Sequence, residues 1–115
     1  MGAEHRRFFR ITQPFPAQCR LHSDIMSTSW IPVIVLNLSA VGVRLRSEEP
    51  IDAGTSLEVQ WQLPSMPAPV IVCGRVVWSQ MQASRVSEHG VEFVDVTQEQ
   101  ALQIDQVVQF LKKGA

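Results

Sequence analysis

The feature that most constrains the fold is a series of short segments rich in valine and isoleucine, with no helical segment between them. Turn residues such as proline, glycine, asparagine and serine separate these segments. Parallel strands need a crossover of a dozen or more residues, so short connections predict antiparallel pairing. The predicted strands cover residues 17–22, 30–36, a stretch from Val43 onwards, 55–63, 70–80 and 89–96. About six such strands are typical of a closed antiparallel barrel.

The segment "TSLEVQWQL" has the clearest strand pattern in the chain. Apolar and polar residues alternate strictly: Leu57, Val59, Trp61 and Leu63 against Glu58, Gln60 and Gln62. A period of two predicts a strand with one buried face and one wet face.

The segment "VIVCGRVVWSQ" is predicted to be the fifth strand. Val70, Val72, Val76 and Trp78 share one face, so we expect Trp78, like Trp61, to belong to the barrel core. A stacking platform for bases is the alternative for these tryptophans. Gly74, in the middle of the strand, predicts a bend or a bulge there.

The last segment changes its period from two to between three and four. Apolar residues form one stripe: Ala101, Ile104, Val107, Val108 and Leu111. Thr97 followed by Gln100 three residues later predicts a capping box, which satisfies free backbone N–H groups at a helix start. The chain is therefore predicted to be a single domain over 1–115, with an N-terminal arm (1–12), an antiparallel β-barrel (13–96) and a closing helix (97–115).

Charge and hydropathy exclude several classes of protein. The formal net charge of -1 argues against a general nucleic-acid binder, whose domains are usually basic. No stretch approaches the ~20 apolar residues of a membrane span. The N-terminal basic residues are not followed by the apolar region of a secretory signal, so we expect a cytoplasmic protein.

The sequence gives no pattern for catalysis or for a metal site. Cys19 and Cys73 stand far apart without histidines at ligand spacing, so we expect no metal and two reduced thiols. Neither a nucleophile motif nor a glycine-rich phosphate loop is present. We therefore expect no enzyme activity and no cofactor.

Positive charge is concentrated in "EHRRFFRI", near the N-terminus. Arg6 and Arg10 form an R-x-x-x-R pair with Arg7 inside it. Guanidinium groups bind phosphate bidentately, and they also contact or stack on guanine. The alternative is a basic terminal arm whose phenylalanines, Phe8 and Phe9, plug the barrel.

A second polar pattern, "NLSAVG", lies between two predicted strands. Asn37 and Ser39 offer short, directed hydrogen-bonding groups, and Gly42 permits a close backbone approach or a positive φ. The alternative is an ordinary turn whose polar side chains bond to their own backbone.

Together, the R-x-x-x-R pair and the N-x-S-x-x-G turn resemble the PilZ domain family. The segments "GRVVW" and "GVEFVDVTQEQ" are also similar to the family, so the resemblance covers about residues 6–113. It implies a six-stranded Greek-key β-barrel, closed by a C-terminal helix, that binds the bacterial second messenger cyclic di-GMP. It further implies that Arg6 and Arg10 grip phosphate and guanine, while Asn37 and Ser39 bind guanine or the ribose-phosphate edge and Gly42 holds the turn open.

Three neighbouring residues are predicted to modify this site. Arg7 contributes charge without a dedicated contact, and Arg44 points either towards the ligand or to solvent. Some family members that bind an intercalated ligand dimer carry an arginine immediately before the first motif arginine. His5 occupies that position here, which favours one bound molecule.

The resemblance implies a cytoplasmic bacterial receptor in second-messenger signalling, with motility and biofilm formation as its expected context. With no output module in the sequence, the signal is expected to pass to a protein partner. The main alternative is an adaptor in pilus or motility assemblies that does not depend on the nucleotide. A barrel that binds RNA or single strands is the third possibility, and steep salt dependence would reveal it.

Overall fold

The computed structural model describes residues 14–22, 29–63, 66–82 and 85–114, with side chains as far as Leu111. This part of the chain contains six strands followed by one helix. They are β1 (Phe15–Leu21), β2 (Ile31–Leu38), β3 (Gly42–Ser47), β4 (Ser56–Trp61), β5 (Val70–Met81), β6 (Ser87–Phe93) and α1 (Gln98–Gly114).

The six strands form a closed barrel in the order β1-β2-β3-β6-β5-β4. Every neighbouring pair is antiparallel. Because β3 and β4 follow each other in sequence but are not neighbours, the connection between them crosses the barrel, as a Greek key requires. The predicted fold class is confirmed.

Several strand boundaries differ by one to three residues from those predicted, most clearly in β1 and β6. β1 begins at Phe15 rather than Ala17 and includes Pro16, which is exposed and lies opposite Ile34 of β2. Pairing with β4 begins only at Gln18, so Pro16 lies where β1 has a neighbour on one side, the position in which a strand tolerates proline. β6 covers 87–93 rather than 89–96.

The barrel interior is filled by alternating residues from all six strands, and α1 closes it. Ile104, Val107 and Val108 of the predicted helical stripe are almost fully buried in the same cluster as the strand residues. The capping box is confirmed, since Gln100 N–H donates to Thr97 Oγ1 (3.0 Å) and Thr97 N–H donates to Gln100 Oε1 (2.9 Å). Gln100 Nε2 also donates to the carbonyl of Ile71 (2.9 Å), which fixes the helix start against β5.

The two tryptophans that share a sequence pattern lie on opposite sides of the barrel wall. Trp61 is 2% exposed, as predicted for a core residue. The same prediction was wrong for Trp78, which is 40% exposed. The register between β5 and β6 shifts between Val76 and Trp78, and this irregularity turns Trp78 outward.

The bulge therefore lies beyond Gly74, where the sequence predicted it. Gly74 stays in the regular, inward-facing part of β5 and is buried. A Cβ at this position would come within 2.6 Å of Val91 Cγ1, so the glycine makes room for a core side chain of β6.

Both cysteines are free thiols, as expected. Cys19 is fully buried on β1, and burial raises the pKa of its thiol to about 12. Because the thiolate is the reactive form, Cys19 is an inert core residue.

His89 of β6 is the largest buried polar residue in the described part of the chain, and two serines hold it. Its Nε2 lies 3.0 Å from Ser47 Oγ and its Nδ1 lies 2.9 Å from Ser79 Oγ. Each serine hydroxyl also contacts a backbone carbonyl, that of Glu49 for Ser47 and that of Ile51 for Ser79. The network ties the loop after β3 to β5 and β6. Burial lowers the pKa of His89, and the Glu49 carbonyl and the charge of Glu88 oppose this only in part.

We expect the unfolding free energy to fall in mild acid because of His89. Its pKa is below the ordinary 6.5 in the folded state, so the unfolded chain binds the proton first. The stabilisation is complete above the ordinary pKa and is lost as the pH falls through the folded value. The loss is at most about 1.4 kcal/mol per pH unit for one group.

Urea denaturation of the wild type and of His89→Gln at about pH 7.5 and about pH 5.5 measures this effect. Both pH values lie above the ordinary pKa of 4.5 for Glu58, and the hydrogen bond from Arg20 lowers the pKa of that carboxyl further. The Arg20–Glu58 pair therefore contributes little to the difference in unfolding free energy between the two conditions. The wild type should lose more stability than the variant between the two conditions. Equal losses in both proteins would contradict a role for His89.

Candidate ligand-binding site

A broad, open pocket with a volume of about 720 Å³ lies where the β2–β3 turn meets the outer surfaces of β5 and β6. We call the surface that lines this pocket the concave face. The turn side is lined by Asn37, Ser39, Ala40, Val41, Gly42 and Arg44. The sheet side is lined by Val77, Trp78, Gly90, Glu92, Phe93 and Val96. The face therefore brings the predicted polar turn together with residues from distant segments.

The turn between β2 and β3 is tighter than predicted. Asn37 lies within β2, opposite Arg44 and just after a register shift that begins at Val35. Ser39 N–H donates to the carbonyl of Gly42 (3.0 Å), and Val41 N–H donates to Ser39 Oγ (3.4 Å). Part of the alternative interpretation is thus correct, because Ser39 stabilises its own turn. As an acceptor in that bond, its hydroxyl keeps its hydrogen to donate towards the face.

Gly42 allows two strands to approach each other closely. A Cβ at Gly42 would lie 2.5 Å from the carbonyl oxygen of Val91, which is closer than real Cβ contacts allow. Its φ is not positive; among the described glycines, only Gly54 has that geometry. Of the two reasons predicted for this glycine, close approach is the one that applies.

Trp78 and Gly90 form a flat aromatic surface, so Trp78 fits the alternative of an exposed stacking surface rather than the predicted core position. Gly90 lies opposite Trp78 in the β5–β6 register. A Cβ on Gly90 would meet Trp78 Nε1 at 2.1 Å and Cε2 at 2.5 Å, so the indole packs directly on the glycine backbone. An exposed indole is a surface on which a nucleobase stacks. The "GRVVW" tryptophan was visible in the sequence, but its outward orientation depends on the bulge.

Charged side chains surround the face in loose pairs. Arg44 lines the face with its side chain 48% exposed, and its Nε lies 3.7 Å from Glu88 Oε1. Arg75 Nη2 lies 4.0 Å from Glu92 Oε1. Surface pairs at such distances contribute little to stability, so these groups can turn to a ligand at low cost.

His5, Arg6, Arg7 and Arg10 lie outside the described residues. β1, which follows them in the chain, begins at Phe15. Phe15 pairs with Val35, and β2 then continues past Asn37 to the turn. The chain before Phe15 therefore joins the barrel at the end that carries the turn. Five residues span at most about 18 Å and nine at most about 32 Å, which limits how far Arg10 and Arg6 can lie from Phe15.

The described ranges contain no group of three histidine, cysteine or acidic side chains arranged to hold a metal ion. Within the same ranges, no helix has both the length and the apolar character to cross a bilayer.

A closed antiparallel barrel of six strands followed by one terminal helix defines a small β-barrel domain. The model of the PilZ domain family matches residues 4–112. The chain belongs to the PilZ domain family. No curated protein sequence matches it.

Several solved structures, PilZ domains among them, share this fold at low sequence identity. The PilZ domain of CeSA from a cellulose-synthesizing bacterium is 13% identical with a TM-score of 0.65, over 90% of this chain and 97% of that one. The PilZ domain of YcgR from Escherichia coli with c-di-GMP is 14% identical with a TM-score of 0.70, over 95% of this chain and 92% of that one. The Bacillus subtilis inhibitor of motility MotI/DgrA is 15% identical with a TM-score of 0.71, over 95% of this chain and 52% of that one.

Proposed function

We propose that this chain is a receptor for cyclic di-GMP that binds its ligand on the concave face beside the Asn37–Gly42 turn. The observation that carries the proposal is that one concave face brings the polar turn together with the exposed Trp78 indole. The start of β1 at the barrel end that carries the turn supports the proposed part of the arginine arm. Membership of the PilZ family and the c-di-GMP complex of the YcgR PilZ domain support it.

The role proposed for each residue follows from the chemistry of the ligand, which has two phosphates and two guanines. Arg6 and Arg10 bind phosphate and guanine through their guanidinium groups. The Asn37 amide and the Ser39 hydroxyl bind a guanine or the ribose-phosphate edge from the opposite side. Trp78 stacks on a base, and Arg44 and Arg7 add positive charge. Because His5 replaces an additional arginine, the proposed stoichiometry is one ligand molecule per chain.

The proposed role is signalling in the bacterial cytoplasm without catalysis or a cofactor. Binding joins the arm to the face and changes the surface that a protein partner contacts. MotI/DgrA is an inhibitor of motility and shares the fold, which supports motility as one context for such a partner. Biofilm formation is the other context that we propose.

Calorimetric titration with cyclic di-GMP, and in parallel with GTP and cyclic di-AMP, tests the proposal. We expect micromolar or tighter binding of cyclic di-GMP, about -8 kcal/mol, with a ratio near one ligand per chain. Both other nucleotides should bind at least about tenfold more weakly, a difference of about 1.4 kcal/mol.

A folded protein that binds none of the three nucleotides would contradict the proposal and favour the nucleotide-independent adaptor. Circular dichroism of the titrated sample confirms that the barrel is intact. Binding that extends to any polynucleotide and weakens steeply with salt would instead indicate an RNA- or single-strand-binding barrel.

A further inference from the structure

Glu92 is a carboxylate on a face proposed to bind an anion. It lies on β6 opposite Gly42, lines the concave face, and its side chain is 55% exposed. A negative group beside a ligand with two phosphates weakens binding unless it makes a specific favourable contact. A specific favourable contact with the ligand would therefore explain why a carboxylate occupies this position.

Among the described residues, no hydrogen bond to either oxygen of the Glu92 carboxylate is present. Within the described ranges, its partner of opposite charge is Arg75, whose Nη2 is 4.0 Å from Oε1. That separation is too long for a hydrogen bond. Glu88, on the same strand, differs because it lies close to both Arg44 and Arg46 and is only 16% exposed.

Glu92 lies beside the aromatic surface, and its distance from Gly90 is similar to the width of a nucleobase. Gly90, under the Trp78 indole, and Glu92 are two residues apart on β6 and face the same side, so their Cα atoms lie about 6.6 Å apart. A base stacked on the indole above Gly90 would present its edge to the Glu92 carboxylate. The motif glycine opposite Glu92 adds no side chain to obstruct that edge.

Guanine is the base that this carboxylate fits. Its N1–H and its N2 amino group are adjacent donors, and a carboxylate accepts both with its two oxygens. Adenine presents the unprotonated N1 at the corresponding place, where a carboxylate oxygen repels it. We propose that Glu92 reads the N1–H and N2–H edge of a guanine stacked on Trp78 and so selects guanine over adenine. This inference rests on the proposed function and adds the basis of its base specificity.

The test is the Glu92→Gln variant, titrated with cyclic di-GMP and cyclic di-AMP. The glutamine amide matches adenine, because its oxygen accepts from N6–H and its nitrogen donates to N1. We expect affinity for cyclic di-GMP to fall about tenfold or more and affinity for cyclic di-AMP to rise, since a bidentate pair discriminates by that order. Glu92→Ala should also lose affinity for cyclic di-GMP, but without the gain for cyclic di-AMP.

Glu48→Gln is the matched control, because it removes the same charge from an exposed residue just beyond the other end of β3. Its ratio of the two affinities should equal that of the wild type. Thermal unfolding of all variants shows whether the fold is retained.

The outcomes separate the inference from the proposed function. A wild type that does not bind cyclic di-GMP overturns both. A wild type that binds, together with a Glu92→Gln ratio equal to that of Glu48→Gln, overturns the role of Glu92 alone. Tighter binding of cyclic di-GMP by Glu92→Gln would also overturn it, because the carboxylate would then only repel the phosphates.

Discussion

Replacing Arg6 or Arg10 with alanine is expected to weaken cyclic di-GMP binding by about ten- to a hundredfold in each case. A hydrogen bond to a charged group contributes about 1.5–3 kcal/mol, and each of these guanidinium groups is proposed to make at least one with phosphate or guanine. Both residues precede the described barrel, whose core cluster is built from Phe15 onwards. The unfolding free energy should therefore stay within about 0.5 kcal/mol of the wild type. Isothermal titration calorimetry and urea denaturation measure the two quantities.

Arg7→Ala is the matched control for this prediction, because it removes the same charge from between the two motif residues. It should weaken binding much less, since Arg7 is proposed to act only through its charge. Equal losses in all three variants would mean that the arm attracts the ligand without specific contacts. Unchanged affinity for cyclic di-GMP in both Arg6→Ala and Arg10→Ala would contradict the proposal that these two arginines bind the ligand.

Trp61→Ala is expected to lower the unfolding free energy by about 3–5 kcal/mol, the usual loss when a large aromatic side chain is removed from a core. Trp61 is 2% exposed, and its ring meets that of Phe15 edge to face with centroids 6.5 Å apart. Small domains have only about 5–15 kcal/mol of stability in total, so the variant should be partly unfolded or strongly destabilised. Urea denaturation followed by circular dichroism measures the loss.

Trp78→Ala should show the opposite behaviour. Because the indole is 40% exposed on the outer surface, its removal should lower stability by roughly 1 kcal/mol or less. Ligand affinity should fall by about 1–3 kcal/mol, the contribution of stacking one base on an aromatic ring. Strong destabilisation by Trp78→Ala with unchanged affinity would assign it to the core and contradict the proposed stacking.

The sequence predicts the barrel well because its main determinants are local. Alternation in "TSLEVQWQL" identifies β4 without knowledge of its neighbours, and the stripe around Ile104 identifies α1 in the same way. The capping box at Thr97 needs only two residues three positions apart. Short connections then leave antiparallel pairing as the main solution.

The orientation of Trp78 could not be predicted, because a shift of one residue reverses which face each later side chain occupies. The bulge between Val76 and Trp78 is such a shift, and no glycine or proline marks it. The predicted bend at Gly74 was placed in the right strand but two or more residues too early.

Of the residues that line the candidate site, the sequence predicts those of the turn and Arg44 just beyond it. Asn37, Ser39 and Gly42 are close in sequence, so a motif can reveal them. Gly90 and Glu92 become neighbours of the turn only through the pairing of β3 with β6, and Trp78 joins them through the pairing of β5 with β6. Such contacts depend on register, which composition and periodicity do not supply.

The indole N–H signals of the three tryptophans in a nitrogen-proton NMR spectrum test the central claim most directly. They can be assigned from Trp→Phe variants. Trp78 lines the proposed face, Trp61 is buried in the core, and Trp30 precedes the end of β2 that lies away from the turn. On addition of cyclic di-GMP, we expect the Trp78 signal to move to a saturable limit while the Trp61 and Trp30 signals change little. Binding that leaves the Trp78 signal in place, or no change in any of the three at saturating ligand, would contradict the account.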